Sequence, residues 1–539
     1  MMKNILNILA CTAICLCTSA LIAQTVGEES VDVVSGYNPV LSDALKETFE
    51  ASTPKSDLKP EGQTYNIPID FYQIPYQPVK VKPIRMPDVK PENLDQVFVK
   101  AGFGTQLTPL AEAYYNSERN KKFQYGAFGR YISSNAKTEF QNYTDARLGG
   151  TGKFYFDDKY AIPVNASFSS NTLYYYGIDS ILDAGATEDS LRQRFNRYSF
   201  DLGFHNIGDN PLNMDFGLKA GFKGIADIDK NKEINPFFSV WGEKELENNS
   251  IAGAELSIDY YQFTGVTQFD NSLIGIKPYY KMITDQYGLV AGLKTIVDKT
   301  SNAFLLPDVQ FSYDLVGDKF VFVAGWDGHL QVNNFANITA ENPFVNDSLT
   351  FRTTPIQEVF AGLRGSTSGN FSFAAKGYQK RATDMPFYVN DTLDLKRFDI
   401  VYSDATIWGG SLELTYFDSD RFRVTGSVNL FSFAELKSID TAWHRPNLEW
   451  TISGMYRINK KFQINADLFG VNRSYALLPG NAVAEIKGAV DMNISATYAY
   501  SKYFNIFVNL NNMANFTYQR YFNYPSYGIQ ALAGLSFTF

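Results

Sequence analysis

The feature that most constrains this chain is a strict two-residue alternation, sustained over segments of about ten residues. In the last of them Ile529, Ala531, Ala533, Leu535, Phe537 and Phe539 fall on one face, and Gly528, Gln530, Gly534, Ser536 and Thr538 on the other. Only Leu532 breaks the pattern. Val490, Met492, Ile494, Ala496 and Tyr498 alternate with Asp491, Asn493, Ser495 and Thr497. Phe462, Ile464, Ala466 and Leu468 alternate with Lys461, Gln463, Asn465 and Asp467. Phe422, Val424, Val428 and Leu430 alternate with Arg421, Arg423, Thr425, Ser427 and Asn429. Side chains on a β-strand point to opposite faces in turn, so each segment has one oily and one wet side.

A water-soluble sandwich shows the same alternation, but three features point instead to a membrane-spanning barrel. The segments approach the length that crosses a bilayer at a tilt, whereas strands of globular proteins average five or six residues. The wet faces carry Asp, Lys, Arg and Asn in mid-strand, as a water-filled lumen permits. Short turn-rich connections recur near 118–121, 157–159, 208–211, 247–249, 285–286, 317–319, 368–370, 418–420, 459–461 and 501–502. Ten such turns join eleven hairpins, which predicts an all-β, transmembrane antiparallel β-barrel of about 22 strands, within a range of 18 to 24. Longer loops are expected at about 174–193, 332–355, 382–404 and 432–447. Short turns should face the periplasm and long loops the exterior. Tyr114, Tyr115, Tyr155, Tyr174, Tyr175 and Tyr176 are expected in the interfacial girdles.

The rest of the chain divides simply. Residues 1–23 read as a signal peptide: Lys3, an apolar run from Ile5 to Ile22, and small residues at Ala20 and Ala23. All three cysteines, Cys11, Cys15 and Cys17, lie there, so the mature chain is expected to hold no disulfide and no cysteine metal site. Residues 24–95 form a proline-rich arm, periplasmic or lumen-occupying, with prolines at 60, 68, 75, 78, 83, 87 and 91 that favour extended backbone over sheet. Residues 96–539 are the barrel, placed in the outer membrane of a Gram-negative-type envelope.

At the C-terminus, Val508-Asn509-Leu510-Asn511-Asn512, Tyr518-Gln519-Arg520-Tyr521, Tyr524-Pro525-Ser526-Tyr527-Gly528 and Ala533-Gly534-Leu535-Ser536-Phe537-Thr538-Phe539 resemble the last hairpin of TonB-dependent receptors. The stretch Val31 to Tyr37 is similar to the valine-rich segment that precedes the plug in some of them. The resemblance implies a 22-stranded barrel that mediates passage of a solute across the outer membrane. The arm is too short and too rich in proline to fold into the family's globular plug, so the expected protein is receptor-like but lacks a full plug. The alternative is a structural or assembly platform that recruits partner proteins through the arm, since proline-rich segments dock in grooves.

Sites that carry chemistry are scarce. His205, His329 and His444 lie far apart with no paired ligand spacing, and no Walker, Rossmann or hydrolase motif occurs. The acidic stretches 227–231 and 179–189 match no calcium loop and read as solvated loops. No enzyme activity, cofactor or metal is expected. Arg421, Arg423, Lys461, Asp467 and Asp491 are the candidate lumen-lining residues, and Phe539 the candidate assembly signal. The expected partners are outer-membrane lipid, the barrel-assembly machinery acting on the C-terminal strand, and a periplasmic or outer-membrane protein bound through residues 24–95. A formal net charge of −9 argues against nucleic acid.

Overall fold

The computed structural model describes residues 95–539, apart from 119, 137, 178–184, 209, 212, 248, 318 and 368. The expected signal peptide, nearly all of the arm and the first part of the 179–189 acidic stretch lie outside the described residues. Twenty-two strands form one closed antiparallel sheet. It opens with β1 (Val97–Gly104) and closes with β24 (Gln530–Thr538), which pair from Phe98 against Thr538 to Gly104 against Leu532. Successive strands are neighbours except at one step. There β19 (Phe462–Val471) pairs with β22 (Ala489–Ala499), because β20 (Ser474–Leu478) and β21 (Ala482–Ile486) make a separate hairpin. Closure leaves no edge of unpaired amides, the condition for a sheet to persist in lipid.

Burial is inverted relative to a soluble protein. On β24, Leu535 and Phe537 are each 42% exposed, while Gln530 and Ser536 of the opposite face are 6% and 7% exposed. On β23 (Phe504–Asn511), Ile506 and Val508 are exposed and Asn509 is buried. The oily face therefore looks outward to lipid and the wet face inward, and the chain is an outer-membrane barrel. The expected turns join the strands at one end. Asp157 (φ 50°), Asp158 (φ 53°) and Asn249 (φ 55°) adopt the left-handed backbone that tight hairpins require and that Asp and Asn tolerate.

The outer connections differ from expectation. Those at 105–107, 265–267 and 299–302 are as short as periplasmic turns. Most of 382–404 is strand, because β15 (Phe371–Asn390) and β16 (Phe398–Asp418) run 20 and 21 residues and project beyond a bilayer. Longer loops occur instead at 472–488, which carries the extra hairpin, and at 512–529. The tyrosines also divide: Tyr175 is buried among outer loops, Tyr114 pairs with inward Phe128, and Tyr115 with exposed Tyr125.

Candidate functional site

The candidate site is the lumen, bounded by an ion-paired wall, an outer roof and a periplasmic mouth. Period-two geometry puts alternate residues of every strand on the wall, and there cations meet carboxylates across adjacent or next-but-one strands. Arg130 contacts Glu112 at 3.1 Å, Lys219 contacts Asp201 at 3.3 Å, and Lys281 contacts Glu243 at 2.9 Å. Glu358 on β14 (Thr353–Thr367) takes Lys380 of β15 at 2.9 Å and Lys376 as well. The Lys219 and Lys281 pairs keep contact with water and contribute little net energy, whereas Glu112 and Glu358 are buried and depend on their cations to offset desolvation.

The roof is built by loops. The connection 333–352 begins on the wall made by β6 (Arg192–Asn206), β8 (Lys232–Leu246) and β9 (Ser250–Thr264), where Phe335 packs on Phe195 and Phe263. Its helix α2 (Phe335–Glu341) follows the one-turn α1 (Glu188–Leu191). Glu233 of β8 accepts the Phe335 N–H at 2.7 Å, and Asn334 caps the Asn337 N–H at 3.0 Å. The far end of α2 reaches the opposite wall: Tyr388 of β15 donates to Glu341 Oε2 at 3.1 Å, and Arg445 pairs with Glu341 at 2.6 Å. Beyond it Phe344 stacks on Tyr524 with ring centroids 3.7 Å apart, and Tyr176 meets Tyr524 edge-on at 4.9 Å. Residues from five outer loops thus share one aromatic core over the lumen. A polar cavity of about 230 Å³ lies beneath α2, lined in part by Ser167, Ser169, Arg197, Tyr261 and Asn337.

His444 is locked within the roof. Its Nδ1 donates to the Tyr388 carbonyl at 2.9 Å and its Nε2 accepts the Phe522 N–H at 3.3 Å, a pattern that only the neutral imidazole satisfies. Burial pushes its pKa down to about 4. Burial pushes the Tyr175 hydroxyl far above its ordinary value. Asp227 and Asp229 of the 227–231 loop meet Asp347 of the roof, with one carboxylate oxygen from each within 4.8 Å of the others. Burial raises Asp227 to about 6 and lifts Asp229, with Asp347 adding repulsion to both. The cluster already has donors: Asn231 Nδ2 to Asp227 at 2.8 Å, and the Arg397 guanidinium to Asp347.

The structure separates the five candidate lumen residues. Arg421 and Lys461 stand in or beside periplasmic turns, and Arg423 faces inward two residues into β17 (Phe422–Leu436). Asp467 lies higher on the wall, where it accepts the Ser453 hydroxyl at 2.6 Å. Asp491 is 2% exposed near the outer end of β22. The acids therefore do not pair with the three cations. Phe539 closes the barrel, its carbonyl accepting the N–H groups of Gln96 at 2.9 Å and Val97 at 2.7 Å. His205 and His329 belong to the wall strands, His329 beside Asp327 at 3.1 Å. Sequence reading missed the roof core of Phe344, Tyr524 and His444. The density of tyrosine in 518–527 was its one visible signal.

No protein-family model and no curated protein sequence matches the chain. Solved structures do. The siderophore receptor PirA of Acinetobacter baumannii superposes with a TM-score of 0.65 at 11% identity, over 84% of this chain and 81% of that one. The FrpB iron transporter of Neisseria meningitidis gives 0.64 at 12% identity, over 83% and 81%. The pyoverdine outer-membrane receptor FpvA of Pseudomonas aeruginosa gives 0.64 at 11% identity, over 84% and 79%. At such identities the likeness concerns the fold, and the fold of this chain is that of the TonB-dependent-receptor-like outer-membrane barrels.

Proposed function

We propose that the protein mediates passage of a solute across the outer membrane. The observation that carries this reading is the barrel itself: 22 strands enclose a lumen too wide for side chains to fill, and its wall is polar and charged. The folds it resembles include structures described as siderophore receptors and an iron transporter, which supports a receptor or transport role over an enzymatic one. The polar cavity beneath α2 would offer an incoming solute hydroxyl and amide groups behind the roof.

A second reading, a membrane platform that recruits partners through residues 24–95, is favoured by the roof, which packs loops from opposite walls together. Planar-bilayer conductance of purified protein separates the two, using the full chain, a form without residues 24–95 and a form with 334–351 replaced by a short glycine linker. Currents in any form support passage, and the roof-deleted form should conduct most. Silence in all three would transfer the conclusion to the platform.

A further inference from the structure

At the periplasmic mouth charge is distributed one-sidedly. Six cations gather on one sector of it: Arg421, Arg423, Arg457, Lys460, Lys461 and Lys502. They belong to the neighbouring strands β17, β18 (Leu448–Asn459), β19, β22 and β23, or to the turns that join them. Among the described residues, none of the six takes part in an ion pair. Asp418 and Asp420 precede Arg421 in its turn without forming an ion pair with it. On β16 to β19 the inward carboxylates Glu413 and Asp467 lie level with Ser427 and Ser453, roughly 13 Å up the wall from Arg423 and Arg457.

The sector is also shaped. A cavity of about 330 Å³ is lined by Arg457, Lys460, Lys461, Gln463, Thr497 and Asn505, and among the described residues no acidic residue lines it. Gln463 accepts from Arg457 Nη2 at 3.3 Å while donating to Asn465 at 3.1 Å, and Asn465 donates to Ser495 at 3.1 Å. This relay fixes the guanidinium and leaves its other N–H groups for a guest. Arg457, Gln463, Thr497 and Asn505 share the inward face, opposite Tyr456, Tyr498 and Ile506, which are exposed on the lipid side. A guest must therefore come through the lumen or its mouth, and not from the surrounding lipid. Unpaired like charges this close repel one another, and an anion relieves them.

We propose that the periplasmic mouth holds an anion-binding site, built by Arg457, Lys460 and Lys461, that receives a small solute bearing carboxylate or phosphate groups. The solute's route rests on the passage reading above; the site itself is tested by binding alone. Inorganic phosphate is titrated into the full chain in non-ionic detergent, and binding is read from broadening of its phosphorus resonance. Wild-type protein should broaden the line, 0.5 M sodium chloride should suppress the effect, and R457Q/K461Q should bind at least about tenfold more weakly. K299Q, which alters a paired cation on an outer turn, should bind like wild type. Folding of each variant is checked by heat-modifiable gel mobility, and R457Q and K461Q singly replace the double variant if it does not fold. Equal binding by R457Q/K461Q, or no binding by wild type, overturns the site. Phosphate binding in a protein that never conducts would keep the site and remove the passage reading. Currents without phosphate binding would do the reverse.

Discussion

The two ends of the lumen treat charge in opposite ways. At the outer end Glu341 is held by Arg445 and Tyr388, Asp347 by Arg397, and the rings of Phe344 and Tyr524 close over them. At the periplasmic end Arg423, Lys460 and Lys461 are exposed and, among the described residues, have no ion-pair partner. Buried charge is tolerable only when paired, so the outer end had to be completed by the chain itself. Exposed charge carries no such demand and can wait for a guest. The difference marks the roof as folded structure and the mouth as reactive surface.

The largest effect should come from Tyr524→Ala. The ring is 1% exposed, stacks on Phe344 and donates through its hydroxyl to the Lys396 carbonyl at 2.5 Å. Its loss should cost the roof about 3–5 kcal/mol. Hydrogen exchange should show protection collapsing in 334–351 and 516–527 while the barrel strands keep theirs. Loss of strand protection as well would show that roof and barrel are one cooperative unit, and the comparison would fail.

Acid should open the same roof. His444 has a folded pKa near 4, below the ordinary value of 6.5, so the unfolded roof binds the proton more readily. Roof stability is therefore full above about pH 6.5 and declines as pH falls toward 4, by up to about 3 kcal/mol. Protonation of Asp227, raised to about 6, runs the other way and flattens part of the slope. The opening equilibrium of 516–527, read from exchange corrected for its intrinsic pH dependence and followed from pH 7.5 to 4.5, should rise steeply in wild type and little in His444→Phe. A parallel rise in both would remove His444 from the account. Arg445→Gln, which strips Glu341 of its cation, should cost about 2 kcal/mol at pH 7 by the same readout.

Much of this fold was legible because the alternation repeats. One period gives faces, faces give a closed sheet, and turn residues such as Asp157 and Asn249 mark where each hairpin reverses. The outer connections were less legible, since strand pattern continues past the membrane in β15 and β16 and nothing local reports where lipid ends. The roof was illegible for another reason. Phe344 and Tyr524 are 180 residues apart, and their contact follows from barrel closure, which no local pattern encodes. Among the lumen candidates, period two puts Arg423 and Asp467 on one face, but height along the wall separates them. Arg457 went unnoticed because its neighbours Tyr456 and Ile458 make the strand end look like a girdle.

The smallest effect on stability should come from the mouth. Neutralising Arg457 and Lys461 together removes two charges that no carboxylate pairs with among the described residues and that repel Lys460. The cost is the hydrogen bond from Arg457 to Gln463, which is exposed enough for water to replace it. The two terms oppose each other, so strand protection in β18 and β19 should shift by less than about 0.5 kcal/mol in either direction. Against this near-zero change the loss of phosphate binding should be large, and that ratio is what separates a guest site from a structural one. A stability loss comparable with that of Arg445→Gln would mean the mouth cations hold the barrel together. The contrast between the two ends would then be one of degree, set by exposure alone.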